Sequence, residues 1–369
     1  VKIYHSMKKF ILATLWLSSA GIMMADNGHE LWLKSNFVEK QTGVSVNAKS
    51  TPTLKIAVEE LLSGWNGAEV NLEEGTVNLA SNEAFSIKIN DGNATIYANS
   101  DIGLLYGAYH LLRLQNTGAN VKDTTLTEAP VFDLRILNHW DNLDGTVERG
   151  YAGASIFWPE SPDQPELIKE YARANASIGI NAAVLDNVNA SVKLLNRDYL
   201  EQVKKFADIM RPYGMKVYLS INFASPLKKA HLKYNPDAEK DPNLLDTADP
   251  LDPRVQDWWK KKCDEIYSLI PNFGGFLVKA NSEGQPGPND YNRSHSEGAN
   301  MLARALKPHG GIVMWRSFVY AANDPDRAKQ AYQEFKPLDG QFDDNVIIQI
   351  KNGPVDFQPR EPFTPLFGA

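Results

Sequence analysis

The sequence predicts an α/β protein: a (β/α)8 barrel with about six strands present, preceded by a small α+β domain. Three observations carry this. From Val131 onward, apolar runs of strand length alternate with amphipathic helical stretches, the pattern of a parallel sheet with helical crossovers. No glycine-rich phosphate loop follows the first of these strands, which disfavours a nucleotide-binding doubly wound sheet. A length of 369 residues exceeds what one ordinary core fills, so a second domain is expected.

The chain divides into a leader over residues 1–26, an α+β domain over 27–130 and the barrel over 131–369. The leader is read from Met7, with Val1 to Ser6 upstream of the true start: two lysines, a mostly apolar run too short to span a bilayer, and a small residue near Ala25 where cleavage is expected. The protein is therefore expected to be exported, periplasmic or extracellular, with no membrane span once the leader is removed.

In the first domain, Thr51 supplies an N-cap and Pro52 a first-turn proline for LKIAVEELLSG. Strands are expected at AFSIKIND and ATIYA, joined through a tight turn at Asp91-Gly92-Asn93. Ser100 then caps DIGLLYGAYHLLRLQNTG, which Gly118 ends, and His110 within it reads as a core or interface histidine. Beyond Val131 the strand candidates are FDLRILN, NAAVLD, KVYLSI, GFLVKA, GIVMWR and NVIIQIK. The helix candidates between them are ELIKEYARANASIG, DYLEQVKKFADIMRPYG, PRVQDWWKKKCDEIYSLI, a stretch around EGANMLARALKPHG, and PDRAKQAYQEFK. Asp252-Pro253 and Asp324-Pro325 open two of them as cap and first-turn proline.

Composition excludes several functions. A net charge of −7 and a pI near 5.6 argue against nucleic acid or anionic membrane as partner. The single cysteine, Cys263, excludes an intrachain disulfide and reads as a core or half-buried residue. No histidine pair has metal-ligand spacing near a carboxylate, so no metal and no cofactor are expected, and no G-x-S-x-G elbow is present.

Polar residues recur at the carboxyl end of each expected strand, where barrel enzymes keep their chemistry. They are Asn138, His139, Trp140, Asp141 and Asn142 after the first strand, Asp186, Asn187 and Asn189 after the second, and Asn222 after the third. The fourth gives Lys279, Asn281 and Glu283, the fifth Trp315 and Arg316, and the sixth Gln349, Lys351, Asn352 and Asp356. Lys279, Arg316 and Lys351 leave adjacent strands and can converge on one carboxylate. Glu283 and Asp356, from different strands, can flank a scissile bond. Two carboxyls with an anion clamp are what hydrolysis of a uronic acid glycoside needs; the alternative is that these cations merely pair with the acids in the barrel mouth. Trp158, Trp140 and Trp315 are each either sugar platforms or core.

Three segments carry a resemblance: NHWDNLDGTVERGYAGASIFW (Asn138 to Trp158), VKANSEGQPGP (Val278 to Pro288) and IKNGPVDFQPREP (Ile350 to Pro362). They resemble the signature segments of the α-glucuronidases of glycoside hydrolase family 67. The resemblance implies an inverting enzyme that releases glucuronic or 4-O-methylglucuronic acid from xylo-oligosaccharides. It implies Glu283 as general acid, Asp356 on the base side, Lys279, Arg316 and Lys351 as the clamp, and Trp158 and Asn281 in substrate binding. It also implies that a second base-side glutamate and a helical C-terminal domain lie beyond Ala369. With two strands short of eight, the chain alone is expected to be inactive and aggregation-prone, with Val346, Ile348 and Ile350 exposed; a homodimer is an expectation for the full-length protein only. Two other readings stand beside this one: a hexosaminidase-like glycosidase, which shares a small α+β domain before a barrel, and a non-catalytic uronate-binding protein.

Overall fold

The computed structural model describes residues 31–33, 43–119, 123–281, 284, 286–317, 326–351 and 363–368, apart from the side chains of residues 31, 327 and 328. The leader read from Met7 lies outside these residues. The first sheet comprises β1 (Val44–Asn47), β2 (Val70–Glu74), β3 (Phe85–Asn90), β4 (Asn93–Ala98) and β5 (Thr125–Glu128), in the order β1-β2-β4-β3-β5. β1, β2 and β4 run parallel, and β3 is antiparallel to both β4 and β5. The hairpin β3–β4 turns through Asp91 and Gly92, both at positive φ (46° and 78°), as a tight two-residue turn requires. Helix α1 (Pro52–Gly64) starts where Thr51 accepts a hydrogen bond from the Leu54 amide, and α2 (Asp101–Asn116) where Ser100 accepts one from Gly103. Of the five strands, the sequence pattern had marked only β3 and β4, whose alternation buries Phe85, Ile87 and Ile89. β1 and β5 are short edge strands with mostly exposed side chains, so no alternation announces them.

The second sheet comprises β6 (Ile136–Asn138), β7 (Ala182–Leu185), β8 (Lys216–Ile221), β9 (Gly275–Val278), β10 (Ile312–Ser317) and β11 (Val346–Ile350), all parallel and neighbours in chain order. These are the six strands the sequence marks. The connections carry α3 (Gln164–Ser177), α4 (Arg197–Met210), α5 (Pro253–Leu269), α6 (His295–Leu306) and α7 (Arg327–Phe335). Asp252 caps α5 as expected, accepting from the Arg254 amide; the Asp324-Pro325 pair lies outside the described residues. Cys263 is buried, and burial pushes its thiol up to about 12.

Both faces of this sheet are apolar. Ala183, Leu185, Leu219, Phe276, Val278 and Trp315 join the large core beneath the helices. The alternate residues Ala182, Val184, Tyr218, Leu277 and Met314 form a separate small cluster with Ile136 and Trp140. That second cluster joins strands β6 to β10, so the sheet is curled. In a flat sheet β6 and β10 would be four spacings, roughly 19 Å, apart. Yet the Arg316 guanidinium, from β10, stands 5.5 Å from the ring centre of Trp140, which follows β6. The result is a curled parallel half-barrel whose concave face carries the small cluster. Val346, Ile348 and Ile350 do not lie bare, as the strand count had suggested: they pack partly buried against the large core, and it is Ile347, on the opposite parity, that is 40% exposed.

Two partly buried ion pairs fasten the sheets together. Arg173 of α3 donates from Nη2 to Glu60 Oε2 of α1 at 2.8 Å, with Nε on Oε1, and the Tyr109 hydroxyl also donates to Glu60. Arg135, just before β6, pairs with Glu83 at 2.8 Å, and Asn181 donates to the same carboxylate.

Candidate active site

The alternation that builds the two faces also aims the strand-end residues. Lys279 lies two residues past Leu277, Arg316 two past Met314 and Asp186 two past Val184, so all three continue the concave face. Lys351 shares that face, because Ile348 and Ile350 of its strand pack into the opposite core. Register sets Val278 against Trp315 and Arg316 against Gln349, so Lys279 and Arg316 stand level on neighbouring strands. Both are buried, Arg316 at 4% exposure, while Lys351 is half-buried. Lys279 Nζ donates to Asn189 Oδ1 at 2.6 Å, which ties the end of β9 to the loop after β7.

Beside Asn189, the partner of Lys279, opens a cleft of about 1280 Å³, lined by Asn142, Asp186, Asn189, Asn222, Asn281 and Tyr291 among others. Asn222 builds its wall: it donates to Ala190 O at 3.3 Å and accepts from the Ala224 amide at 2.9 Å. Asn281, at φ 54°, donates to Asp290 Oδ2 at 2.8 Å, and Asp290 in turn accepts from the Gly287 amide. Its amide thus ties Asn281 to Asp290 while its body lines the cleft. The outer rim carries Lys193, Lys229 and Lys233 with Tyr199 and Tyr234, a group that the sequence reading passed over. Lys193 Nζ sits over both rings, 5.8 Å from Tyr199 and 5.5 Å from Tyr234.

Of the three candidate tryptophans, the substrate-binding role expected of Trp158 needs correction, and Trp315 takes its core alternative. Trp158 is 2% exposed and packs edge-on against Tyr199 and Phe206 of α4, in the core between sheet and helices, so in this structure it offers no face to a sugar. Trp315 is fully buried on the convex side, donating to His295 Nδ1 at 3.2 Å. Trp140 is the tryptophan of the concave face, with Arg316 stacked on it. His139, one residue earlier, points the other way: its Nε2 lies 2.7 Å from the Tyr171 hydroxyl, and burial holds its pKa below the usual histidine range despite the nearby Asp141. Asp141 accepts from the Ser155 hydroxyl, which itself accepts from the amides of Phe157 and Trp158. This chain of bonds pins the long loop after β6.

Glu283, Asn352 and Asp356 lie outside the described residues. Among the described residues, no group of three or more His, Cys, Asp or Glu side chains is arranged to hold a metal ion.

A curled parallel sheet with helical crossovers, beside a separate mixed sheet, defines a class, the mixed α/β proteins. The particular family follows from the sequence: the model of the glycosyl hydrolase family 67 middle domain matches residues 114–369, and the chain belongs to that family. A protein named probable alpha-glucuronidase A from Aspergillus clavatus is 47% identical over 293 residues, covering 77% of this chain and 33% of the relative. One of the same name from Neosartorya fischeri is 40% identical over 395 residues, covering 95% of this chain and 45% of the relative. The chain thus spans less than half the length of either. Among solved structures, the chitobiase of Flavobacterium johnsoniae superposes with a TM-score of 0.52 at 16% identity, over 86% of this chain and 57% of that one. At that identity the likeness is one of fold.

Proposed function

We propose that the protein is an inverting α-glucuronidase, exported, which releases glucuronic or 4-O-methylglucuronic acid from decorated xylo-oligosaccharides. Membership of the family supports this, as do the relatives' names. The observation that carries it is the set of three cations, Lys279, Arg316 and Lys351, on the concave face of three neighbouring strands, beside Trp140. A neutral sugar gives such a clamp nothing to hold, which also separates this reading from a hexosaminidase. In the full protein, residues 131 onward form a closed (β/α)8 barrel and residues 27–130 a separate domain. No helix among the described residues is long and apolar enough to cross a membrane.

In this mechanism the clamp binds the uronate carboxylate and so fixes the ring. Glu283 gives its proton to the glycosidic oxygen as the bond breaks, while Asp356 draws a proton from a water attacking the anomeric carbon from the opposite face. No cofactor takes part. The rim of Lys193, Lys229, Lys233 and the two tyrosines faces the side from which an acidic oligosaccharide would enter.

The test is leaving-group dependence. Glu283→Gln should abolish nearly all release from a xylo-oligosaccharide, whose leaving hydroxyl needs a proton, and far less from an activated aryl glucuronide. Equal losses on the two substrates would refute the general-acid assignment.

A further inference from the structure

Below the cations, the concave face holds two polar groups that the mechanism above does not use. Register pairs Val184 with Tyr218 and Leu185 with Leu219, where β7 ends, and Asp186 and Ser220 are the next residues along the two segments. Both follow, two residues on, a side chain of the concave cluster, Val184 and Tyr218 respectively. Asp186 is 1% exposed and Ser220 fully buried. The Ser220 hydroxyl and both carboxyl oxygens of Asp186 lack a full hydrogen bond, although the amides of Asn187 and Ser191 lie near enough to Asp186 to favour its charged form. Asp186 also sits in the left-handed region at φ 70°, and it lines the cleft. Buried polar groups are nearly always satisfied, and strained residues cluster where a ligand completes them. Asp186 lines the cleft, with Ser220 buried on the neighbouring strand, and an incompletely bonded acid on a cleft wall points to a ligand group that supplies the missing bonds.

We propose that Asp186, backed by the buried Ser220, binds one ring hydroxyl of the uronic acid whose carboxylate Lys279, Arg316 and Lys351 hold. The inference rests on the uronate reading of this cleft and deepens it. Burial drives the Asp186 carboxyl well above the usual carboxylate range; the backbone amides of Asn187 and Ser191 oppose the shift and the charge of Asp141 adds to it. A neutral acid both donates and accepts, which matches a hydroxyl. It also places no negative charge against an anionic sugar. The other titratable groups of the cleft are Asp144, Lys193, Lys229, Lys233, Asp290 and Tyr291, with Asp141 and Lys279 behind its wall. Asp186 is a positioning and specificity residue here, with no part in proton transfer.

The test is calorimetric binding of glucuronic acid and its 2-, 3- and 4-deoxy analogues to the protein expressed from its full gene. Asp186→Ala should weaken glucuronate binding by roughly 10- to 50-fold, whereas Asp186→Asn, neutral and still donor and acceptor, should stay within about threefold of wild type. For one of the deoxy analogues, wild type and Asp186→Ala should bind alike, because the hydroxyl they would dispute is gone. Ser220→Ala, a near-isosteric change, should show a smaller loss confined to the same analogue, and it serves should Asp186→Ala fail to fold. Raising the pH until Asp186 ionises should weaken binding to wild type and leave Asp186→Asn unaffected. A uniform loss across glucuronate and all analogues, as removal of a purely structural group would give, overturns the proposal, and so does an Asp186→Asn variant as impaired as Asp186→Ala. A wild-type protein that binds no glucuronate at all refutes the uronate reading itself, and this inference falls with it.

Discussion

Arg316→Ala tests the clamp most directly. The residue is 4% exposed at the end of a central strand, and its guanidinium rests 5.5 Å from the Trp140 ring centre, so its position is set before any substrate arrives. A fork held in that way loses little freedom on forming two parallel bonds to a carboxylate. Each charge-assisted bond is worth about 1.5–3 kcal/mol, and water refilling the space recovers part of the sum. The net loss should be about 2–4 kcal/mol in transition-state binding, or roughly 30- to 900-fold in kcat/KM for a glucuronosyl xylo-oligosaccharide. The matching glucosyl substrate, without a carboxylate, should change by less than about threefold. Arg316→Lys keeps the charge, loses the fork and the stacking on Trp140, and should fall between. Kinetics on the two substrates with all three proteins decide the matter. Parallel losses on glucuronoside and glucoside would mean that Arg316 holds the strand ends together and reads no carboxylate.

Two further predictions concern the scaffold. Arg173→Ala leaves Glu60 buried without its guanidinium and should cost about 2–3 kcal/mol of stability by urea denaturation, discounted because Arg173 is itself partly exposed; a cost under about 0.5 kcal/mol would show the pair to be solvent-screened. His295, stacked on Phe335 and accepting from Trp315, has its pKa lowered by burial to about 4. It stays neutral in the fold while an unfolded histidine protonates near 6.5, so the unfolded state binds the extra proton. Stability should therefore fall as pH drops from about 6.5 to about 4, by about 3 kcal/mol from this residue. Denaturation midpoints at pH 7 and pH 4, measured for wild type and His295→Gln, check it, and an unchanged pH slope in the variant would refute it.

The second sheet was legible in the sequence for the reason that hid part of its site. Strands covered on both faces read as continuous apolar runs, and Ala182–Leu185, Gly275–Val278 and Ile312–Ser317 stand out from the polar helices around them. The same continuity erases the label that says which face is which. A half-exposed strand such as Phe85–Asn90 announces its inward side by alternation, whereas AAVL announces nothing. The strand ends were therefore identifiable as places, and the direction of each side chain was not. That is why His139 stood in the same series as Trp140, although His139 turns into the helix layer and Trp140 lies on the concave face. Parity resolves these cases once a single residue per strand is known to face inward. Counting two residues on from Val184, Leu277 and Met314 reaches Asp186, Lys279 and Arg316 without further information. By this count an acid at the position of Asp186 shares one face with Lys279 and Arg316, on strands of the same parallel sheet.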